Sequence, residues 1–203
     1  PPCSGVPALQ SGHVTFGCLN NFCKVTRATL AAWSRLLQTT PHAHLLLHAQ
    51  AGSHRDRVRD YLSGQGVSAD RLSFAEKVSL AEYFRLYARI DVALDPFPYG
   101  GGTTTCDALW MGVPVVSLAG QTAVGRGGMS ILANAGLPEL AARDVDDYVR
   151  IAAALASDVR RLTELRSTLR ERMQRSPLMD ASRFARNVEA AYRGMWRRWC
   201  EEG

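Results

Sequence analysis

Residues 96–116 read PFPYGGGTTTCDALWMGVPVV, which sets three glycines and three threonines between two apolar stretches. Without Cβ atoms, the backbone at Gly100, Gly101 and Gly102 can approach a ligand closely and take conformations closed to other residues. Thr103, Thr104 and Thr105 add hydroxyl donors, and a helix starting there offers free N–H groups to an anion. Asp107, one turn further on, stands where a carboxylate can accept hydrogen bonds from ribose hydroxyls. A plainer reading is also open: Thr104 and Asp107 form a T-x-x-D capping pair, and the glycines only make a turn. The stretch is neither GxGxxG nor GxxxxGK[ST], so the dinucleotide and P-loop fingerprints do not apply.

Two other stretches carry similar chemistry. In LNNFCKV (19–25), Lys24 is one of only two lysines, with Lys77, in a chain that otherwise draws its positive charge from arginine. A compact ammonium suits a phosphate oxygen, and Asn21 lies close enough in sequence to share the ligand. AEKVSLAEY (75–83) is the third. These stretches can serve one ligand only if the fold brings them together, so the elements between them matter.

Periodicity predicts strands at 14–19, 44–49, 71–75, 90–95 and 113–118, alternating with helices. Thr26 reads as the N-cap of the first long helix, and Gly112 as the left-handed stop of the helix after the glycine turn. Strand–helix alternation at this period is the pattern of βαβ units on a parallel sheet, hence an α/β, Rossmann-like fold. Ligands in such sheets bind beyond the carboxyl ends of the strands, where all three stretches fall. Residues 1–12 read as a linker from something upstream, and 13–203 as one domain whose 144–203 portion is a helical tail. The last helix, about 181–200, lines Phe184, Val188, Tyr192, Met195, Trp196 and Trp199 along one side, for core packing or for docking on another lobe.

Composition excludes several classes. At 46% hydrophobic and 21% charged residues over 203, the chain is globular rather than disordered. The net charge of +5 comes from arginines mixed with acidic residues at helical spacing and without interleaved aromatics, so no nucleic-acid partner is expected. Five cysteines, odd in number and without metal-ligand spacing, argue against a disulfide framework or structural zinc and for a reducing, cytoplasmic setting. No apolar run approaches a membrane span. His13, His42, His44, His48 and His54 all fall early in the chain and none has a claim as a catalytic base.

VTFGCLNNFCKVTRATLAAWSRLLQTTPHAHLLL, DVALDPFPYGGGTTTCDALWMGVPVVSLAG and SPLMDASRFARNVEAAYRGMW together resemble the C-terminal catalytic lobe of bacterial O-linked N-acetylglucosamine transferases, over residues 13–199. The resemblance implies a GT-B fold, with a sugar nucleotide between two Rossmann-like lobes and no metal ion or other cofactor. It implies that Lys24 neutralises the leaving diphosphate, with Asn21 in the place of a family glutamine. Gly101, Gly102, Thr103 and Thr104 would lie at the diphosphate and Asp107 at the uridine ribose. Around 78–83 the family contacts uracil through its backbone and stacks a histidine on the base; here Val78 falls in that segment, Leu80 replaces a lysine and Tyr83 the histidine. A phenol can also stack. The expected activity is inverting transfer of N-acetylglucosamine from UDP-GlcNAc to protein Ser or Thr hydroxyls. The expected partners are a tetratricopeptide-bearing N-terminal lobe and the acceptor protein. A UDP-glucose-dependent glucosyltransferase acting on Asn side chains and a non-catalytic UDP-sugar sensor are the competing readings.

Overall fold

The structure, a computed structural model, describes residues 1–202. Six strands form one sheet: β1 Thr15–Cys18, β2 His44–His48, β3 Leu72–Ala75, β4 Val92–Leu94, β5 Val115–Leu118 and β6 Ala141–Ala142. Their order is β3-β2-β1-β4-β5-β6, and every neighbouring pair is parallel. Leu45, Leu46 and Leu47 of β2 are all buried, as a strand covered on both faces requires. The helices are α1 Ala8–Ser11, α2 Arg27–Thr39, α3 Ser53–Gly64, α4 Leu80–Leu86, α5 Thr103–Trp110, α6 Ala123–Asn134, α7 Val145–Ser157, α8 Val159–Arg175 and α9 Ala181–Glu202.

Local chemistry sets several boundaries. Thr26 caps α2 by accepting a hydrogen bond from the Thr29 N–H at 3.1 Å. The α2 apolar face buries Trp33, Leu36 and Leu37, and the Trp33 indole donates to the Tyr148 hydroxyl of α7 at 3.1 Å. Beyond α5, Gly112 sits at φ +79°, the left-handed stop its position predicts.

Sequence periodicity marks no element between 119 and 143, yet α6 and β6 lie there. The reason is glycine. Gly125, Gly127 and Gly128 lower helix propensity, but the packing needs them. A Cβ on Gly125 would stand 3.1 Å from Gly120 Cα, and one on Gly128 would collide with the Ser117 side chain of β5.

Residues 1–12, which read as a linker, pack on the lobe. Val6 is buried, the Ala8 N–H donates to Asp91 Oδ1 at 3.0 Å, and the buried Arg166 donates to the Ser4 carbonyl at 2.9 Å. Core packing of the α9 aromatics is overturned: Phe184, Tyr192, Met195, Trp196 and Trp199 are each 58–72% exposed. The helix contacts the lobe chiefly through the Pro177–Met179 turn before it, with no residue of its own in the core. No helix among the described residues is long and apolar enough to cross a membrane.

The sheet reverses its winding between β1 and β4. From β1 the chain winds outward to β2 and β3, and from β4 it winds the other way to β5 and β6. The loops leaving the carboxyl ends of β1 and β4 therefore diverge, opening the crevice in which doubly wound sheets place ligands.

Candidate functional site

The crevice brings the three chemistry-bearing stretches together. The loop after β1 makes a 3-10 turn at Phe22–Lys24, and the loop after β4 carries Asp95–Gly102 into α5. Across them, Lys24 Nζ donates to the Gly100 carbonyl at 3.0 Å and sits 4.2 Å from the centre of the Tyr99 ring. One of three ammonium protons is used in this bond, which leaves two for a ligand. The Thr26 and Thr29 hydroxyls both donate to the Phe97 carbonyl, at 2.9 Å each, and so pin the β4 loop onto the start of α2.

Beneath the glycines lies a carboxylate. Asp95 is fully buried and accepts from the Thr105 hydroxyl at 3.0 Å. Burial pushes its carboxyl up, and hydrogen bonds from Ser117, Thr105, the Gly101 N–H and Asn20 pull it back. A side chain at Gly101 would strike Thr105 and Asp95, so the turn can close over this carboxylate only because position 101 is bare. Gly102 is the N-cap of α5 and brings no side chain to it, so no side-chain cap satisfies the first N–H groups of the helix.

The three threonines divide their work. Thr105 is tied to Asp95, and Thr104 donates to Asn20 Oδ1 at 2.7 Å, while Thr103 is exposed. The T-x-x-D capping pair does not form. Asp107 instead accepts from the Tyr83 hydroxyl at 3.0 Å. The capping box of this region lies earlier, where Ser79 accepts from the Glu82 N–H and Glu82 accepts from the Ser79 N–H. Tyr83 in turn lies 2.8 Å from the Tyr87 hydroxyl, which stands 3.2 Å from the Thr104 carbonyl. Burial pushes the half-buried Asp107 carboxyl up, and the bond from Tyr83 pulls it down.

Thus Lys24 is joined to the glycine turn, whose Gly101, Gly102 and Thr103 lead into α5, and Tyr83 to Asp107 and, through Tyr87, to Thr104. Asn21 is exposed and caps its own 3-10 turn by accepting from the Cys23 N–H at 3.2 Å. Val78 and Leu80 are exposed at 40% and 71%, on the approach to α4 and its first residue. Sequence reasoning passed over Asn20, the buried neighbour of Asn21 that holds Thr104, and Asp95 beneath the turn. A polar residue closing an apolar strand, as in IDVALD, was the available signal for Asp95. The arrangement offers an ammonium and a helix N terminus to an anion, and a carboxylate some way along α5 to hydroxyl donors.

Fold and crevice together define a doubly wound α/β lobe of the GT-B glycosyltransferase architecture. Its structure matches a variant of the O-GlcNAc transferase of Thermobaculum terrenum with a TM-score of 0.86 and 38% identity, over 94% of this chain and 37% of that one. In sequence it is 42% identical to the probable UDP-N-acetylglucosamine–peptide N-acetylglucosaminyltransferase SPINDLY of Solanum lycopersicum, over 98% of this chain and 22% of that protein. It is 28% identical to the UDP-N-acetylglucosamine–peptide N-acetylglucosaminyltransferase of Caenorhabditis elegans, over 94% of this chain and 17% of that protein. The profile of glycosyl transferase family 41 matches residues 6–188, and the chain belongs to that family. It spans less than a quarter of the length of the curated relatives it matches.

Proposed function

We propose that this chain supplies the sugar-nucleotide side of a glycosyltransferase active site, for inverting, metal-independent transfer of N-acetylglucosamine from UDP-GlcNAc to Ser or Thr hydroxyls of proteins. The observation that carries the reading is the convergence of Lys24, the glycine turn and Asp107 at the β1/β4 switch point. The names of the relatives, peptide N-acetylglucosaminyltransferases, support the donor and acceptor classes. Breaking the anomeric C–O bond leaves negative charge on the diphosphate. Lys24 and the α5 N terminus meet that charge most strongly in the transition state, so they lower the barrier rather than only tightening substrate binding. Thr103 is the free hydroxyl for a phosphate oxygen, and Asp107 takes the ribose. The base that accepts the acceptor's proton comes from the rest of the protein, a lobe joined to tetratricopeptide repeats. The exposed aromatic stripe of α9 is the surface on which that lobe docks.

Calorimetric titration with UDP tests the cradle. The expected result is binding by the unaltered protein, weakened at least tenfold by Lys24→Ala and by Asp107→Ala, the scale of one lost hydrogen bond to a charged group. Transfer should fall ~10²–10³-fold in Lys24→Ala, as when one preorganised donor is removed. Equal affinities for all three proteins would remove these residues from the site. Full transferase activity from this chain alone would refute the two-lobe reading. Because the cradle grips phosphates and ribose rather than the base, GDP belongs beside UDP in the titration. Tighter GDP binding would overturn the choice of donor and leave the cradle standing. UDP bound by the complete protein with no transfer would favour a sensor.

A further inference from the structure

We propose that Tyr83 is a positioning residue for Asp107, setting the carboxylate for ribose hydroxyls, rather than a platform on which the base stacks. The inference rests on the nucleotide-binding reading above and refines it. The Tyr83 hydroxyl lies 3.0 Å from Asp107 Oδ2 and 2.8 Å from the Tyr87 hydroxyl. Its ring is half-buried and held edge-on by Phe84 at 5.4 Å and 66° and by Tyr87 at 5.5 Å and 82°. Those contacts fix the orientation of the ring, and its polar tip is spent on the carboxylate rather than left free for a ligand.

Proton counting orders the row. Tyr83 and Tyr87 bring one hydroxyl proton each, and the ionised carboxylate brings none. With Asp107 ionised, Tyr83 must donate to it and accept from Tyr87, so the row runs Tyr87 to Tyr83 to Asp107. The Tyr87 proton then cannot also serve the Thr104 carbonyl, 3.2 Å away and the longest of the three contacts. One carboxylate oxygen is thereby held from α4, and Oδ1 is left for the ribose. Without the phenol, a half-buried carboxylate would lose the bond that opposes its desolvation and the anchor that fixes its rotamer.

Tyr83→Phe separates the two roles, because phenylalanine keeps the ring for stacking and loses only the hydroxyl. The experiment measures UDP and 2′,3′-dideoxy-UDP affinities by calorimetry for the unaltered protein, Tyr83→Phe, Asp107→Ala and the double variant. The expected result is a loss in UDP affinity of about tenfold in Tyr83→Phe, a smaller preference for UDP over the dideoxy ligand, and a double variant within about twofold of Asp107→Ala. Tyr87→Phe, one step back in the row, should weaken UDP by less than Tyr83→Phe does and carries the same test if Tyr83→Phe folds poorly. If Asp107→Ala weakens binding while Tyr83→Phe does not, or if the two losses simply add, the positioning role is refuted and the nucleotide site stands. If the unaltered protein binds neither UDP nor GDP, or Asp107→Ala leaves binding unchanged, the ribose reading fails and the inference falls with it.

Discussion

Replacing Gly101 by alanine probes the packing beneath the turn, and the structure sets the size of the effect. An alanine Cβ there would stand 2.5 Å from Asp95 Oδ1 and 2.9 Å from Thr104 Oγ1, with the Thr105 hydroxyl closer still. Asp95 and Thr105 are 2% and 1% exposed, so neither can swing into solvent. Ordinary contact begins near 3.4 Å, so the turn must lift by roughly 1 Å. Overpacking of this kind costs about 1–3 kcal/mol. Breaking the Thr105–Asp95 bond, which ends on a buried carboxylate, adds about 1.5–3 kcal/mol. Together they predict a loss of about 2.5–6 kcal/mol, or roughly 5–24 °C in Tm for a domain of this size. Gly100→Ala is the control: its nearest atoms, Asp95 Oδ2 and Ser117 Oγ, lie 3.8 Å away, so its Tm should move by less than about 2 °C. Thermal unfolding followed by circular dichroism compares the two. Equal shifts would refute the claim that the turn closes over Asp95 because position 101 lacks a side chain.

Other parts of the lobe give further tests. Arg166 is 3% exposed and donates to the carbonyls of Ser4, Ile90 and Tyr87 and to the Ser4 hydroxyl, so Arg166→Met should destabilise by about 3–5 kcal/mol in urea unfolding. A loss under 1 kcal/mol would contradict its role in fastening residues 1–12. Burial pushes the Cys18 thiol up to about 12, so at pH 8 only about one molecule in ten thousand carries the thiolate there. Iodoacetamide followed by mass spectrometry should therefore label exposed Cys23 and Cys200 and spare Cys18 until the chain unfolds. Reactivity at Cys18 should grow only as pH approaches that value, because raising pH favours the thiolate that burial penalises. On α9, Trp196→Ser with Trp199→Ser should change the stability measured by urea unfolding by less than about 0.5 kcal/mol, since neither ring is buried. A larger loss would show that they pack within this lobe.

Much of the fold was legible because it follows from local rules. Strand–helix alternation predicted a parallel sheet, Thr26 and Gly112 were readable as cap and stop, and Lys24 stood out against the arginines. These signals need only neighbours in the chain. Where local and tertiary demands conflict, the sequence misleads. The glycines that hide α6 from propensity are the ones that let it lie against Gly120 and Ser117. T-x-x-D at 104–107 satisfies the capping pattern, yet a phenol 24 residues away in sequence holds Asp107. Adjacent Asn20 and Asn21 look interchangeable on paper. The chain turns away from the sheet between them, burying one against Thr104 and exposing the other. The stripe on α9 fits core and interface equally well as a pattern, and only the three-dimensional arrangement shows that nothing within this lobe covers it. Residue type and spacing determine which groups are available and in which elements they lie. Which of them face one another depends on the strand order, since the switch between β1 and β4 joins loops more than seventy residues apart into one crevice.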